Sequence, residues 1–221
     1  MTKPILIFGA GELAEVAAFY FEHDTDRQVA GFTVDGDRVS EDTFCGKPVM
    51  AFEDLITTHP PAEYDAFVAV GYSKVNGLRA DKCESARAMG YDLASYVSTK
   101  ATTFADFSCG WNAFILEDNT IQPFARIGNG VTLWSGNHIG HHASIGDYAF
   151  ISSHVVISGG VKVGARSFMG VNSTTNDHIE IGERCVVGSG AVVARNLDDE
   201  AVVVSEPGKI SKVPSSRLRG F

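Results

Sequence analysis

Four cysteines, seven prolines and two tryptophans are all that these residue types contribute to the 221-residue chain, and positive charge is in the minority. Cys45, Cys83, Cys109 and Cys185 lie far apart and form no CxxC pair. That argues against a thiolate metal cluster or dithiol centre and for free thiols in a reducing compartment. Lys and Arg total 18 against 27 Asp and Glu, giving a net charge of −9. A nucleic-acid binder normally carries a basic stripe, so that class is set aside. Long apolar runs are also missing: nothing approaches the roughly 20 residues that span a bilayer. The run Ile5-Leu6-Ile7-Phe8 is too short for a signal-peptide core. A cytoplasmic protein with no membrane span is therefore expected.

What is present is a period of six. An apolar column runs Val97, Thr103, Cys109, Ile115, Ile121, Ile127, Leu133, Ile139, Ile145, Ile151, Ile157, Val163, Met169, Thr175, Ile181, Val187, Val193, interrupted by the two threonines. Gly follows the column residue repeatedly, as at Gly128, Gly140, Gly146, Gly164, Gly170 and Gly188. Four places after it, small or β-branched residues recur, such as Val131, Ala143, Val155 and Ser167. A helix cannot keep a period of six on one face, and a flat strand would alternate every second residue. Short strands with a corner after each do fit, stacking into a parallel β-helix. Cys109 and Cys185 then read as core residues.

The first ninety residues read differently. Lys3–Gly9 is a buried strand, Glu12–Glu22 a helix with apolar Leu13, Val16, Ala17 and Tyr20, and Val29–Val34 a second strand ending at Asp35. Asp65–Gly71, Val75–Met89 and Leu93–Val97 read as strand, helix and strand. Alternating strands and helices imply a small Rossmann-like parallel sheet, making residues 1–97 an α/β domain ahead of an all-β solenoid at 98–204 and a tail at 205–221. Gly9-Ala10-Gly11-Glu12-Leu13-Ala14 matches the relaxed dinucleotide fingerprint, whose glycines allow a tight turn and whose helix start offers free N–H groups to phosphate. Asp35 stands where an acid meets ribose or base. The alternative is that these glycines only let helix and strand pack closely. The unit is too small for both halves of a dinucleotide fold, so a nucleotide or nucleotide-sugar is favoured over NAD.

Five of the seven histidines, His138, His141, His142, His154 and His178, fall on the solenoid. If three hexads make one coil, His141 and His142 lie beneath Gly159 and Gly160, which lie beneath Asp177 and His178. Strand spacing then puts His142 and His178 roughly 10 Å apart across a groove without side chains. The plain alternative is solvated turn residues. His154 projects from another corner and joins the others only across a subunit boundary.

The solenoid, the small α/β domain and the segment Ser135-Gly136-Asn137-His138-Ile139-Gly140-His141-His142-Ala143-Ser144-Ile145-Gly146-Asp147-Tyr148 together resemble the bacterial hexapeptide-repeat sugar acyltransferases. These include the nucleotide-linked amino-sugar N-acetyltransferases and the sialic acid O-acetyltransferase-like proteins. The resemblance implies a left-handed β-helix, a homotrimer, and acetyl-CoA as co-substrate with a nucleotide-linked amino sugar, of the 4-amino-4,6-dideoxy type, in bacterial surface glycan biosynthesis. It implies His141 as general base, with His142 beside it where the family has an acidic residue, and Phe150 where the family has a second histidine. Gly9, Ala10, Gly11, Asp35, Gly71 and His138 are the candidate sugar-nucleotide contacts. Gly159, Gly160, Gly170, Gly188 and Lys209 are the candidate coenzyme contacts, the last in a tail, Ser205-Glu206-Pro207-Gly208-Lys209, like the family's post-solenoid segment. No metal is implied. Outward Trp134, Phe150 and Phe168 are expected to face a trimer partner. Transfer is expected to be direct, since no Ser or Cys nucleophile motif is evident. O-acetylation of a sugar, a metal-dependent γ-carbonic-anhydrase-like activity and a non-catalytic trimeric scaffold stay open as alternatives.

Overall fold

The hexads close into one coil every 18 residues. In the computed structural model, which describes residues 2–217, Thr132 pairs with Phe150, His138 with Val156 and Ser144 with Lys162, all in parallel. Each strand is two residues long, a column residue and the one before it, and the strands stack into three sheets of seven, five and four strands among the described residues. The column side chains point inward and are fully buried: Ile115, Leu133, Ile139, Ile151, Ile157 and Val187 all have 0% exposure. Each such side chain contributes about 1.5–3 kcal/mol by leaving water. The residue four places on, such as Val131, Ala143 or Val155, fills the same core from the corner.

Three lines of corner residues have positive φ: Asn112, Gly130, Tyr148, Arg166 and Arg184; Asp118, Gly136, His154, Asn172 and Gly190; Phe124, His142, Gly160 and His178. A left-handed turn favours Gly, Asn, Asp and His, so His142, His154 and His178 suit the backbone at these corners. His141 is not at such a position. The glycines after the column have another cause. A Cβ at Gly140 would stand 2.6 Å from Gly159 N, and one at Gly170 2.6 Å from Ser189 N, so consecutive coils close only over hydrogen. The last coil shortens: Val186 pairs with Val202, and Ile181 bridges to Leu197. The column therefore does not extend beyond Val193.

The N-terminal unit has strands β1 (Ile5–Phe8), β2 (Val29–Val34), β3 (Thr43–Phe44), β4 (Lys47–Ala51) and β5 (Asp65–Val68). Its helices are α1 (Glu12–Asp24), the single turn α2 (Leu55–Thr58) and α3 (Gly77–Ala88). The sheet order is β3-β4-β2-β1-β5, parallel except for the β3–β4 hairpin. That hairpin was not expected. Of the expected last strand Leu93–Val97, Leu93 bridges in parallel to Ala66 of β5, whereas Tyr96–Val97 pairs with Phe114–Ile115 as the first rung of the solenoid.

The two units share apolar cores. Phe21, Phe32 and Phe67 pack with Tyr96, Phe114 and Leu116, so α1 is held between its own sheet and the first coils. On the other face of the sheet, Phe8, Leu55, Ala80 and Cys83 cluster with Tyr148. Beyond the Ala66–Leu93 bridge, Asn112 continues the outer edge of β5, accepting from Val68 N at 2.7 Å and donating to Val68 O at 3.2 Å. Tyr20 donates to Glu117 at 2.6 Å, and burial with that bond pushes its phenol up to about 12. The N-terminal unit thus covers one sheet of the prism, and it covers the outward aromatics expected to meet a trimer partner. Phe150 is 3% exposed beneath Tyr72, with ring centroids 5.3 Å apart. Phe168 is stacked at 5.7 Å on Phe150, and Trp134 packs against the first unit's core.

Candidate functional site

The turn after β1 is built around Gly9. Its φ of +130° and the 2.8 Å that would separate a Cβ from Ala69 O both require glycine there, as the packing alternative holds. Gly11 differs. Its φ of −132° suits any residue and a Cβ would meet nothing within 4 Å, so its surroundings are open. It caps α1 with no side-chain hydrogen bond, while Glu12 and Glu15 supply the negative charge favoured in the first turn. Gly71 is equally open. Gly71 and Glu12, the residue after Gly11, line a cleft of about 530 Å³ shared by the two units, walled by Leu13, Tyr72, Trp134, Phe150 and Phe168 and also lined by Ser152 and Ser153. On the other side of the turn, Ala10, Val34, Arg38 and Phe44 line a hollow of about 220 Å³. Asp35 follows β2 and is paired with Lys82 of α3. The Lys82 ammonium also lies 5.1 Å from the Phe8 ring centroid and 5.6 Å from that of Phe52. The sheet therefore brings Gly9, Ala10, Gly11, Asp35 and Gly71 to one edge.

A residue that the sequence did not single out holds this edge to the solenoid. Arg79, 1% exposed, donates to Gly130 O at 3.0 Å and Tyr148 O at 2.6 Å on a corner, and to Val70 O and Gly71 O at 3.2 and 3.3 Å in the cleft loop. No carboxylate hydrogen-bonds it among the described residues, and burial lowers its pKa to about 10. An arginine on a helix reads as solvated, so only its setting reveals the role.

His141 and His142 are exposed at the corner shared with Phe124, Gly160 and His178. The expected groove is filled. The His141 ring folds along the stack over Gly159, where a Cβ would come within 2.7 Å of Cε1. The His178 ring covers Gly160 in the same way, with Nδ1 nearest to where a Cβ would stand. Rings fold into this space because glycine leaves it free. Gly159 N–H donates to Asp177 at 2.9 Å, and His141 N–H to Gln122 Oε1 at 2.8 Å. His141 Nδ1 lies 3.2 Å from His142 Nδ1, and the His142 ring packs 4.7 Å from Phe124. His138 is half-buried on a different sheet, between Thr120 and Val156. His154 stands at the corner with the cleft serines, its ring over Gly136. Among the described residues, no three His, Cys, Asp or Glu side chains converge to hold a metal. Gly170 and Gly188 lie in the coil stack, and Lys209 is exposed beyond the last strand.

The bacterial transferase hexapeptide (six repeats) matches residues 124–159. Serine acetyltransferase from Synechococcus elongatus is 33% identical over 100 residues, 41% of each chain, so the match spans less than half of that curated relative. PerB from Caulobacter crescentus, solved with CoA and GDP-perosamine, superposes with a TM-score of 0.83 at 24% identity, over 96% of this chain and 98% of that one. The acetyltransferase domain of PglB from Neisseria gonorrhoeae gives 0.82 at 22% identity, over 94% and 99%. At these identities the likeness establishes the fold. The chain is a left-handed hexapeptide β-helix behind a small α/β domain, an architecture it shares over nearly its whole length with PerB and the acetyltransferase domain of PglB.

Proposed function

We propose that this chain is an acetyl-CoA-dependent acetyltransferase acting on the amine of a nucleotide-linked sugar, with His141 as general base. The observation that carries this is the cleft where the open Gly71 and the start of α1, Glu12 and Leu13 next to Gly11, face the aromatic wall of the solenoid. Backbone N–H groups at the Gly9–Gly11 turn meet phosphate or ribose, Asp35 meets ribose or base, and the sugar lies along the aromatic wall. The architecture shared with the CoA-bound neighbours supports acetyl-CoA lying along the later coils and the Ser205–Lys209 tail.

The amine nitrogen attacks the thioester carbonyl, the C–S bond breaks, and coenzyme A leaves as its thiol. His141 Nε2 takes the amine proton and returns it to the departing sulfur. N–H groups of the coils stabilise the oxygen charge that develops between.

Within one chain the cleft and His141 occupy different corners: the cleft reaches the His154 corner, and the N-terminal unit grips the Gly130–Tyr148 corner. A second copy therefore supplies His141 to the cleft, in a homotrimer. His154, at the cleft corner, then stands near the partner's histidine pair.

Asp35→Ala is expected to raise KM for the nucleotide-sugar and leave KM for acetyl-CoA nearly unchanged. Losing a hydrogen bond to a buried ligand group costs about 1–3 kcal/mol, or roughly 5- to 150-fold. Gly11→Val folds normally, since its φ is ordinary and its surroundings open, and projects a side chain into the ligand's path. Calorimetry showing parental nucleotide-sugar affinity in both variants would make the domain a packing element and remove this reading.

A further inference from the structure

The base lacks the partner that a catalytic imidazole usually has. A general-base histidine needs its reacting nitrogen unprotonated, and that depends on what the other nitrogen bonds to. No carboxylate hydrogen-bonds the His141 ring among the described residues; the group beside its Nδ1 is Nδ1 of His142, at 3.2 Å. Two N–H groups pointed at each other repel, so one proton at most lies between these nitrogens. If His142 donates it, His141 carries its own proton on Nε2 and cannot act as a base there. If His141 donates it, Nε2 is free.

We infer that His142 is a positioning residue that accepts the Nδ1–H of His141 and so keeps His141 Nε2 open as the base. The inference rests on the base role proposed above for His141. Three contacts fix the pair. The His141 ring has space over Gly159 because that residue has no side chain. The two imidazoles meet edge to face, centroids 5.3 Å apart and planes at 84°. Phe124, one coil earlier on the same corner, packs on the outer side of His142. When His141 Nε2 takes the amine proton, its Nδ1–H stays directed at the neutral His142 Nδ1, so the new charge is shared through one hydrogen bond without a second proton moving. A neutral acceptor thus stands where the family resemblance calls for an acid.

The corner tolerates the test. His142 has φ of +58°; Phe124 on the same corner line has +67°, and the neighbouring line holds Asp118 at +58° and Asn172 at +59°. His142→Phe keeps an aromatic ring and removes the acceptor, whereas His142→Asp and His142→Asn keep one. Long-range proton–nitrogen spectra of histidine-labelled protein report the tautomer directly, and His141→Asn assigns the signals. His141 is expected as the Nδ1–H tautomer in the parent and in the Asp and Asn variants, moving to mainly Nε2–H in His142→Phe. In turnover, His142→Phe is expected to lower kcat roughly tenfold or more, within the roughly 10²–10⁴-fold that a positioned base contributes. Both KM values stay within about twofold and His142→Asp recovers most of the loss. An unchanged His141 tautomer and kcat in His142→Phe would overturn the inference and leave His141 itself untouched. If the tautomer followed the series while His141→Asn turned over at the parental rate, the pairing would stand and the base role would fall.

Discussion

Replacing His141 by Asn is expected to lower kcat by roughly 10²–10⁴-fold, the contribution of a positioned general base. The melting temperature should stay within about 2 °C, because substitutions of exposed side chains cost little. His141 is exposed, its ring lies over Gly159 and beside His142, and its backbone N–H bond to Gln122 survives the change. The two-corner arrangement sharpens the expectation. In the proposed trimer, co-expressed His141→Asn and Asp35→Ala chains should recover part of the activity that each lacks alone, since some boundaries would then combine an intact nucleotide edge with an intact base. A loss below about threefold would remove His141 from the role and leave His138 and His142 as the next candidates.

The second large effect falls on stability. Arg79→Met keeps the aliphatic stem and removes every donor, leaving the buried carbonyls of Gly130 and Tyr148 without the partner they have now. Ala149 O keeps its bond from Thr132 N, so the loss is concentrated on the corner itself. Unpaired buried acceptors cost about 1–3 kcal/mol each, so a destabilisation of about 3–5 kcal/mol is expected. For a chain of this size that lowers the melting temperature by roughly 6–20 °C. The Gly71 loop loses two bonds at the same time, so nucleotide-sugar binding should weaken along with stability. A thermal scan showing a change below about 2 °C would mean that the guanidinium is not the clamp described.

The parts of this fold that were legible were those written in a repeated pattern. Ile115 through Val193 stand in register because each column residue faces the same core, and the glycines after them mark where coils touch. Pattern reading fails where the repeat ends: the coil from Val186 to Val202 is shorter, and nothing in the column announces it. It also fails where two units meet. Tyr96–Val97 has the alternation of either sheet, and only the rung formed with Phe114–Ile115 decides between them. Outwardness was readable for Trp134, Phe150 and Phe168, but not what covers them, because the period of six is blind to a domain folded back from earlier in the chain. The β3–β4 hairpin is short and carries Pro48, so it lacks a strand signature.

The site was legible in the same uneven way. The glycine turn and the acid after β2 were visible as a motif, and the structure gathers them on one edge. It also divides the glycines by cause: conformation and contact demand Gly9, whereas Gly11 and Gly71 stand in open space. The histidines stood out as a cluster, yet three of them occupy left-handed corners where the backbone favours the residue type. The Lys82 partner of Asp35 and the Arg79 clamp come from α3, where an isolated cation on a helix gives no sign of burial.

The most direct test supplies the purified protein with acetyl-CoA and a panel of UDP-, dTDP- and GDP-linked amino sugars, reading free thiol release and product mass. Thiol release is expected only with a nucleotide-linked amino sugar, with a product heavier by one acetyl group on nitrogen. No transfer to any amino sugar, or transfer to a sugar hydroxyl alone, would contradict the proposed activity.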